Sequence, residues 1–214
     1  MKAAPIDAGR VGQRVASHGL DWCYRDQTDS TNADVLQHYG EFRREVVAVS
    51  ETQNAGRGRR GRQWHSPYAR NIYCTVGLFK SLPANRQGLL SIVTGMALCR
   101  AIEASTAARV ELKWPNDLLA GGEKLGGILI ESRPHDATSF FFAIGFGINL
   151  SMHADEVAAI GQPVTSLDRL TARPPDRNAL LSVAIDSVVA AIREFDLNGV
   201  EGCLLYTSPS PRDS

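Results

Sequence analysis

The sequence predicts an α+β domain, with helices laid across a β-sheet, on three observations. Short apolar runs rich in β-branched and aromatic residues recur at 46–50, 71–78, 125–132 and 139–150, as buried strands do. Two longer stretches, 88–104 and 176–195, instead space their apolar residues by three and four, the period of a helix with one face in a core. At 214 residues and 43% hydrophobic content the chain can bury one full core, so a single domain is the simplest count.

Each element follows in turn. Residues 11–19 put Val11 and Val15 on one helical side, although Gly12 opposes a helix there. Residues 21–28, with Trp22, Cys23 and Tyr24, read as a first strand. Asp29, Ser30, Thr31 and Asn32 are capping residues in a row before a helix that places Val35, Leu36 and Tyr39 on one face. One plain N-cap needs only one of them, and the surplus hydroxyl and amide groups beside a strand end suit a polar ligand head. After strands 46–50 and 71–78, a turn around Pro83 leads to helix 88–104, with a stripe of Leu89, Ile92, Val93, Met96, Ala97, Arg100 and Ala101. Residues 109–114 alternate, Val110, Leu112 and Trp114 on an apolar face and Glu111 and Lys113 on the other, until Pro115 stops the strand.

Asn116-Asp117 follows as a polar corner, and residues 118–124 read as a hairpin turned at Gly121-Gly122. The next two strands carry Gly126, Gly127, Gly145 and Gly147. Any one of these is explained by a bulge or tight packing, but together, beside Lys124 and Asn149, they predict a bare floor on which a ligand lies. Residues 155–160 form a short helix, 165–167 a turn, and helix 176–195 covers the sheet.

Between strands 46–50 and 71–78 hangs Ala55-Gly56-Arg57-Gly58-Arg59-Arg60-Gly61-Arg62-Gln63-Trp64. It has no apolar period and its like charges repel, so it is expected to stay loose until an anion draws it in, a clamp hung over a pocket. The rival reading is an arginine-glycine segment that binds RNA. Lys+Arg and Asp+Glu balance at 23 each, which argues against a broad nucleic-acid footprint. Cys23, Cys74, Cys99 and Cys203 lie far apart without metal-ligand spacing, so no metal site is expected and they read as reduced thiols of a cytoplasmic protein. The first ten residues lack the apolar core of a signal peptide, no apolar run approaches membrane-spanning length, and no membrane partner is expected.

Set side by side, five motifs resemble the catalytic domain of biotin-protein ligases: Asp29-Ser30-Thr31-Asn32, Gln53 with the arginine loop, Lys113-Trp114-Pro115-Asn116-Asp117, Lys124-Leu125-Gly126-Gly127-Ile128, and Gly145-Phe146-Gly147-Ile148-Asn149. The resemblance runs from about residue 21 to 150 and more faintly to 195. It implies a mixed β-sheet with helices packed on one side, the biotin/lipoate ligase catalytic fold akin to class II aminoacyl-tRNA synthetases. It implies ATP-dependent activation of biotin to biotinyl-5′-AMP and transfer to a lysine of a carboxylase's biotin carboxyl carrier domain. Ser30, Thr31 and Asn32 would hold the ureido ring with Gln53 nearby, and Arg57, Gly58 and Arg59 would close over biotin and the adenylate. Arg60, Arg62 and Trp64 would meet the adenylate, with the indole on the adenine. Lys124 would hold the biotin carboxylate and acyl phosphate, and Lys113, Asp117 and Asn149 would lie near the phosphates and reacting centre. The expected catalytic group is therefore Lys124, Arg59, Lys113 and Asp117.

The chemistry agrees. A carboxylate attacking the α-phosphate brings two anions together and expels a third, so the site must supply positive charge more than proton transfer. Mg²⁺ would escort the departing pyrophosphate. The acceptor amine must shed a proton, since a free lysine near pKa ~10.4 is mostly charged at neutral pH. Asp117 could take that proton or orient Lys113, and an exposed strand-end salt bridge is the plainer reading of the pair. A lipoate or octanoate ligase on the same fold would want a long apolar slot where Ser30-Thr31-Asn32 and Gln53 stand.

No DNA-binding segment precedes the motifs, so a monofunctional type without a repressor role is expected, and no nucleic-acid partner. Residues 1–202 are expected to be the catalytic domain, without the small C-terminal β-barrel domain of many members. Residues 203–214 resemble the translated read-through of a transposase sequencing adapter and are expected to be a non-native tail. The oligomeric state stays open, a homodimer included.

Overall fold

The computed structural model describes residues 5–173 and 175–195. Its helices are α1 (Ala8–Ser17), α2 (Thr31–Phe42), α3 (Leu89–Thr106), α4 (Ala154–Ala159), α5 (Leu167–Leu170) and α6 (Arg177–Glu194). Its strands are β1 (Asp21–Thr28), β2 (Val46–Gln53), β3 (Ile72–Lys80), β4 (Glu111–Lys113), β5 (Asp117–Ala120), β6 (Glu123–Pro134) and β7 (Phe140–Ile148). The strands join in one mixed sheet in the order β1-β2-β3-β7-β6-β5-β4. Only β1 and β2 run parallel, because α2 supplies the crossover that parallel neighbours need. The expected tail at 203–214 lies outside the described residues.

Alternation along β2 sorts the layers. Val47 and Val49 join the larger core with Val76, Phe142 and Ile144, beneath Val11, Leu90, Leu98, Leu181 and Ile185 of α1, α3 and α6. Val46 and Ala48 point the other way, to Val35 and Tyr39 of α2, with Phe141 and Ala143. The expected cover on one side is thus built by α1, α3 and α6. The addition is α2, on the opposite face, with a cavity ahead of its N-terminus.

Two sequence expectations change. The buried stripe of α3 is Leu90, Val93, Ala97, Leu98, Ala101 and Ile102, while Arg100 is exposed and Leu89, Ile92 and Met96 are half-buried. Val93, Ala97 and Ala101 lie on the predicted stripe, but apolar residues surround this helix, so its pattern places the face only in part; Gly95 lies on the buried side and lets the Leu112 side chain come where a Cβ would stand 2.5 Å away. By length and composition α3 could also cross a membrane, but that stripe packs against the sheet and α6. Trp114, expected to share a face with Val110 and Leu112, is 74% exposed. The strand ends at Lys113, whose carbonyl accepts the Asn116 N–H in a turn, so the alternation does not reach Trp114.

Glu51, fully buried at the edge of this core, ties three elements together. Its carboxylate accepts the Ile6 N–H at 2.6 Å, the Tyr24 hydroxyl at 2.8 Å and the Arg177 guanidinium at 2.6 Å. Burial first, and then the bond to Glu51, push the Tyr24 phenol above its usual range. Glu51→Ala leaves the guanidinium of Arg177, 10% exposed, without that carboxylate. The expected cost is about 3–5 kcal/mol, read as a lowered urea midpoint at unchanged slope.

Candidate active site

A cavity of about 290 Å³ opens on the α2 face of the sheet, just ahead of the N-terminus of α2. Gly127 of β6, opposite Gly147 of β7, and Gly145, opposite Leu129, form its floor. The bare backbone is required: a Cβ on Gly145 would stand 2.1 Å from Asn32 Oδ1, and one on Gly147 would stand 2.5 Å from the Trp64 ring. Gly126 does not line the cavity. A Cβ there would meet the Gly147 carbonyl at 2.7 Å, so its bareness serves close packing.

At one end stand Ser30, Thr31, Asn32 and Gln53, as expected. Ser30 occupies the N-cap position of α2 yet makes no side-chain capping bond, so the plain capping reading does not hold. Thr31 donates its N–H at 3.0 Å and its hydroxyl at 3.3 Å to Gln53 Oε1. Asn32 donates to Glu131 at 2.8 Å and to the Leu129 carbonyl at 3.3 Å, and its oxygen accepts from Thr75 at 2.7 Å. Both its N–H donors are committed inside the protein, which leaves one lone pair for a ligand. Glu131 and Thr75, which fix that amide, escaped sequence reasoning. Their signal was a polar residue in the apolar run 72–78 and a charge directly after the apolar run 128–130.

At the other end Lys124, with its side chain 17% exposed, reaches Asp117 Oδ1 at 2.8 Å and lies 5.6 Å from the Trp64 ring. This corrects the expected partner of Asp117. Lys113 opposes Asp117 in the β4–β5 ladder, but its side chain is exposed and does not line the cavity. Attraction is stronger for the less exposed ammonium, and the carboxylate turns to Lys124. Asn149 lies deeper. It is 4% exposed, donates to the Thr165 carbonyl at 3.1 Å, and lies outside the cavity lining.

The arginine loop closes the cavity from above. Arg57, Gly58, Arg59, Arg60, Arg62 and Trp64 all line it. The loop folds back on itself through its own backbone bonds. Gly58 N–H donates to the Arg62 carbonyl at 2.7 Å, Trp64 N–H to the Gly56 carbonyl at 2.9 Å, and a 3₁₀ turn spans Arg59–Gly61 with φ of 57° at Arg60 and 72° at Gly61. Backbone groups pair within the loop, and glycine frees the chain to turn back, which apolar periodicity could not report. Arg59 also donates to Asn116 Oδ1 at 3.1 Å, so the polar corner latches the loop. Among the described residues no carboxylate pairs with any of the loop's four arginines. The Trp64 indole lies on Gly127 and Gly147 with its buried N–H unbonded.

Asn116 and Gln162 are further lining residues that sequence reasoning did not single out, the first inside a recognised motif and the second in a stretch without periodicity. Asp117 is the one carboxylate of the described lining, and no cysteine lines it. Burial pushes the Cys74 thiol up and Cys99 to about 12, so neither offers a thiolate. A polar end, a bare floor and a cation-rich end under an arginine loop can hold a ligand with a hydrogen-bonding head and an anionic tail.

Residues 24–149 match the model of the biotin/lipoate A/B protein ligase family. The chain belongs to this family. Among curated members it is 36% identical over 175 residues to the bifunctional ligase/repressor BirA of Escherichia coli, covering 80% of this chain and 53% of that protein. It is 35% identical over 201 residues to the biotin--[acetyl-CoA-carboxylase] ligase of Mycobacterium tuberculosis, covering 89% and 72%. The chain thus spans little more than half of the E. coli relative. A solved family structure, the Aquifex aeolicus biotin protein ligase in complex with biotin and ATP, superposes with a TM-score of 0.63 at 25% identity, over 82% of this chain and 71% of that one. The Leishmania major biotin protein ligase in complex with biotinyl-5-AMP reaches 0.69 at 22% identity, over 90% and 87%, and speaks to the fold.

Proposed function

We propose that this family member activates biotin with ATP to biotinyl-5′-AMP and passes the biotinyl group to a lysine of a biotin carboxyl carrier domain. The observation that carries the reading is the cavity's polarity: Ser30, Thr31, Asn32 and Gln53 at one end, and Lys124 under four carboxylate-free arginines at the other. The ureido head fits the polar end, and the apolar body lies along Gly127, Gly145 and Gly147. The acid tail then reaches Lys124, where its charge and that of the α-phosphate are offset as they meet. A lipoyl or octanoyl chain has no head group for the polar end, and the arginines face the cavity, where a small anion suits them better than RNA.

Magnesium enters this proposal as part of the nucleotide. The cavity's one carboxylate is paired with Lys124, and the described residues hold no cluster of three His, Cys, Asp or Glu side chains. Such a site fits Mg²⁺ carried on ATP phosphates, where it would neutralise the leaving pyrophosphate. Asp117, 2.8 Å from Lys124, serves in this reading either to orient that ammonium or to take a proton from the acceptor amine. Residues 1–202 are proposed to be the catalytic domain, acting in a reducing cytoplasm that suits the unpaired Cys23, Cys74 and Cys99.

Biotin-dependent exchange of pyrophosphate into ATP tests the reading directly; exchange driven by lipoate and not by biotin would overturn it. The loop carries a separate prediction. Arg59→Gly removes one guanidinium and the latch to Asn116, so free biotinyl-AMP is expected to leave about 10-fold faster or more, for a charge-assisted contact of about 1.5–3 kcal/mol. Stopped-flow release of the intermediate measures it, and wild-type retention would remove Arg59 from the clamp.

A further inference from the structure

The polar end of the cavity is a run of hydrogen bonds, and one residue outside the lining sets their direction. Asn32, 4% exposed, carries an amide whose nitrogen only donates and whose oxygen only accepts. The nitrogen faces two acceptors, Glu131 Oε2 at 2.8 Å and the Leu129 carbonyl at 3.3 Å. The oxygen lies over the bare floor, where a Cβ on Gly145 would stand 2.1 Å from it, and it accepts the Thr75 hydroxyl at 2.7 Å.

The opposite orientation would set the amide oxygen against a carboxylate and a carbonyl, neither of which can donate. Glu131 is the nearer of the two acceptors and the stronger, because a carboxylate makes a charge-assisted bond. The direction then propagates. Thr75 has a single hydroxyl proton, within reach of Asn32 Oδ1 and also of the Thr31 hydroxyl at 2.8 Å. With that proton on Asn32, the buried Thr75 oxygen offers Thr31 only lone pairs, and the Thr31 proton goes to it or to Gln53 Oε1 at 3.3 Å. In both cases Asn32 and Thr31 keep lone pairs for the cavity they line, whereas Glu131 and Thr75 do not line it.

We propose that Glu131 is a positioning residue that fixes the hydrogen-bond polarity of this end, so that it selects a ligand presenting N–H donors over one of the same shape that lacks them. The inference rests on the reading of the cavity as a biotin site, since the ureido ring brings such N–H groups. Glu131 acts through Asn32. Without its carboxylate the Asn32 amide keeps only the longer bond to Leu129 and can turn, which puts a donor where the ligand also has a donor.

Glu131→Ala and Glu131→Gln are titrated calorimetrically with biotin and with the lactam analogues in which one or the other ureido N–H is replaced by CH2, with thermal midpoints recorded alongside. In the wild-type protein one analogue should bind about 10-fold more weakly than biotin, the size of one buried hydrogen bond. Glu131→Ala should weaken biotin by about that factor and the analogue by about two-fold or less, closing the gap between them. Glu131→Gln should restore the gap, because its amide oxygen can still accept from Asn32. A gap missing from the wild type, one that survives in Glu131→Ala, or one that Glu131→Gln fails to restore would overturn the polarity role while leaving biotin binding in place. Wild-type protein that binds no biotin would instead overturn the underlying reading.

Discussion

Lys124→Ala is expected to abolish biotin-dependent pyrophosphate exchange, a loss of about 100- to 1,000-fold, the size seen when one donor to a developing anion is removed. The side chain is the cation that stands inside the cavity on a strand and not on the loop, 2.8 Å from Asp117. Its removal takes away charge where two anions must approach, and it leaves Asp117 in the cavity without its partner, which repels both. The fold should survive. Lys124's structural contacts are backbone ladders to Leu119 and to the 163–165 strap, and alanine keeps them. Biotin binding should weaken less than kcat falls, because the head-group end is untouched. Exchange at the wild-type rate in a correctly folded Lys124→Ala protein would exclude this residue from the reacting centre.

Gly145→Ala is expected to lower biotin affinity by about 100-fold, roughly 3 kcal/mol, at the upper end of what overpacking costs. The added Cβ would lie 2.1 Å from Asn32 Oδ1 and 3.2 Å from the Leu129 carbonyl oxygen. Neither neighbour gives way easily. Leu129 is held in the ladder opposite Gly145 itself, and Asn32 is gripped by Thr75, Glu131 and the Leu129 carbonyl. Moving Asn32 breaks those bonds and tilts Thr31, which shares the Thr75 hydroxyl at 2.8 Å and reaches Gln53. The substitution therefore acts on the head-group end and not on charge. Calorimetric titration with biotin reads it, and an unchanged affinity would mean that the floor is not where the ligand lies.

Much of the architecture was legible along the chain because period is a local property. The β-branched runs became β2 and β3, the Gly121-Gly122 turn joined β5 to β6, and β1 fell on residues 21–28 as predicted. The buried face of α3 was legible in part: Val93, Ala97 and Ala101 fell on it as predicted, but apolar residues surround the helix, and the close fit of Leu112 onto Gly95 belongs to tertiary packing. Trp114 misled for a related reason. Alternation over 109–114 cannot report that the ladder stops one residue short, at Lys113.

At the site, residue type identified most of the lining and tertiary distance assigned the partners. Ser30, Thr31, Asn32, Gln53, the loop arginines, Trp64, Asp117 and Lys124 all meet in one cavity. Lys113 and Asn149 carry the same motif evidence but stay outside it, one on the exposed side of an edge strand and the other under the strap. Glu131, Thr75 and Gln162 had no motif, and they matter only because strands far apart in sequence bring them to Asn32 and Lys124. The sequence by itself determined which chemical groups this protein owns and which segments are strand, helix or loop, since both are written in residue identity and short-range period. Only the tertiary structure decided that Asp117 answers Lys124 and that the Asn149 amide donates to the Thr165 carbonyl, because hydrogen bonds and ion pairs depend on a few tenths of an ångström between residues the chain keeps apart.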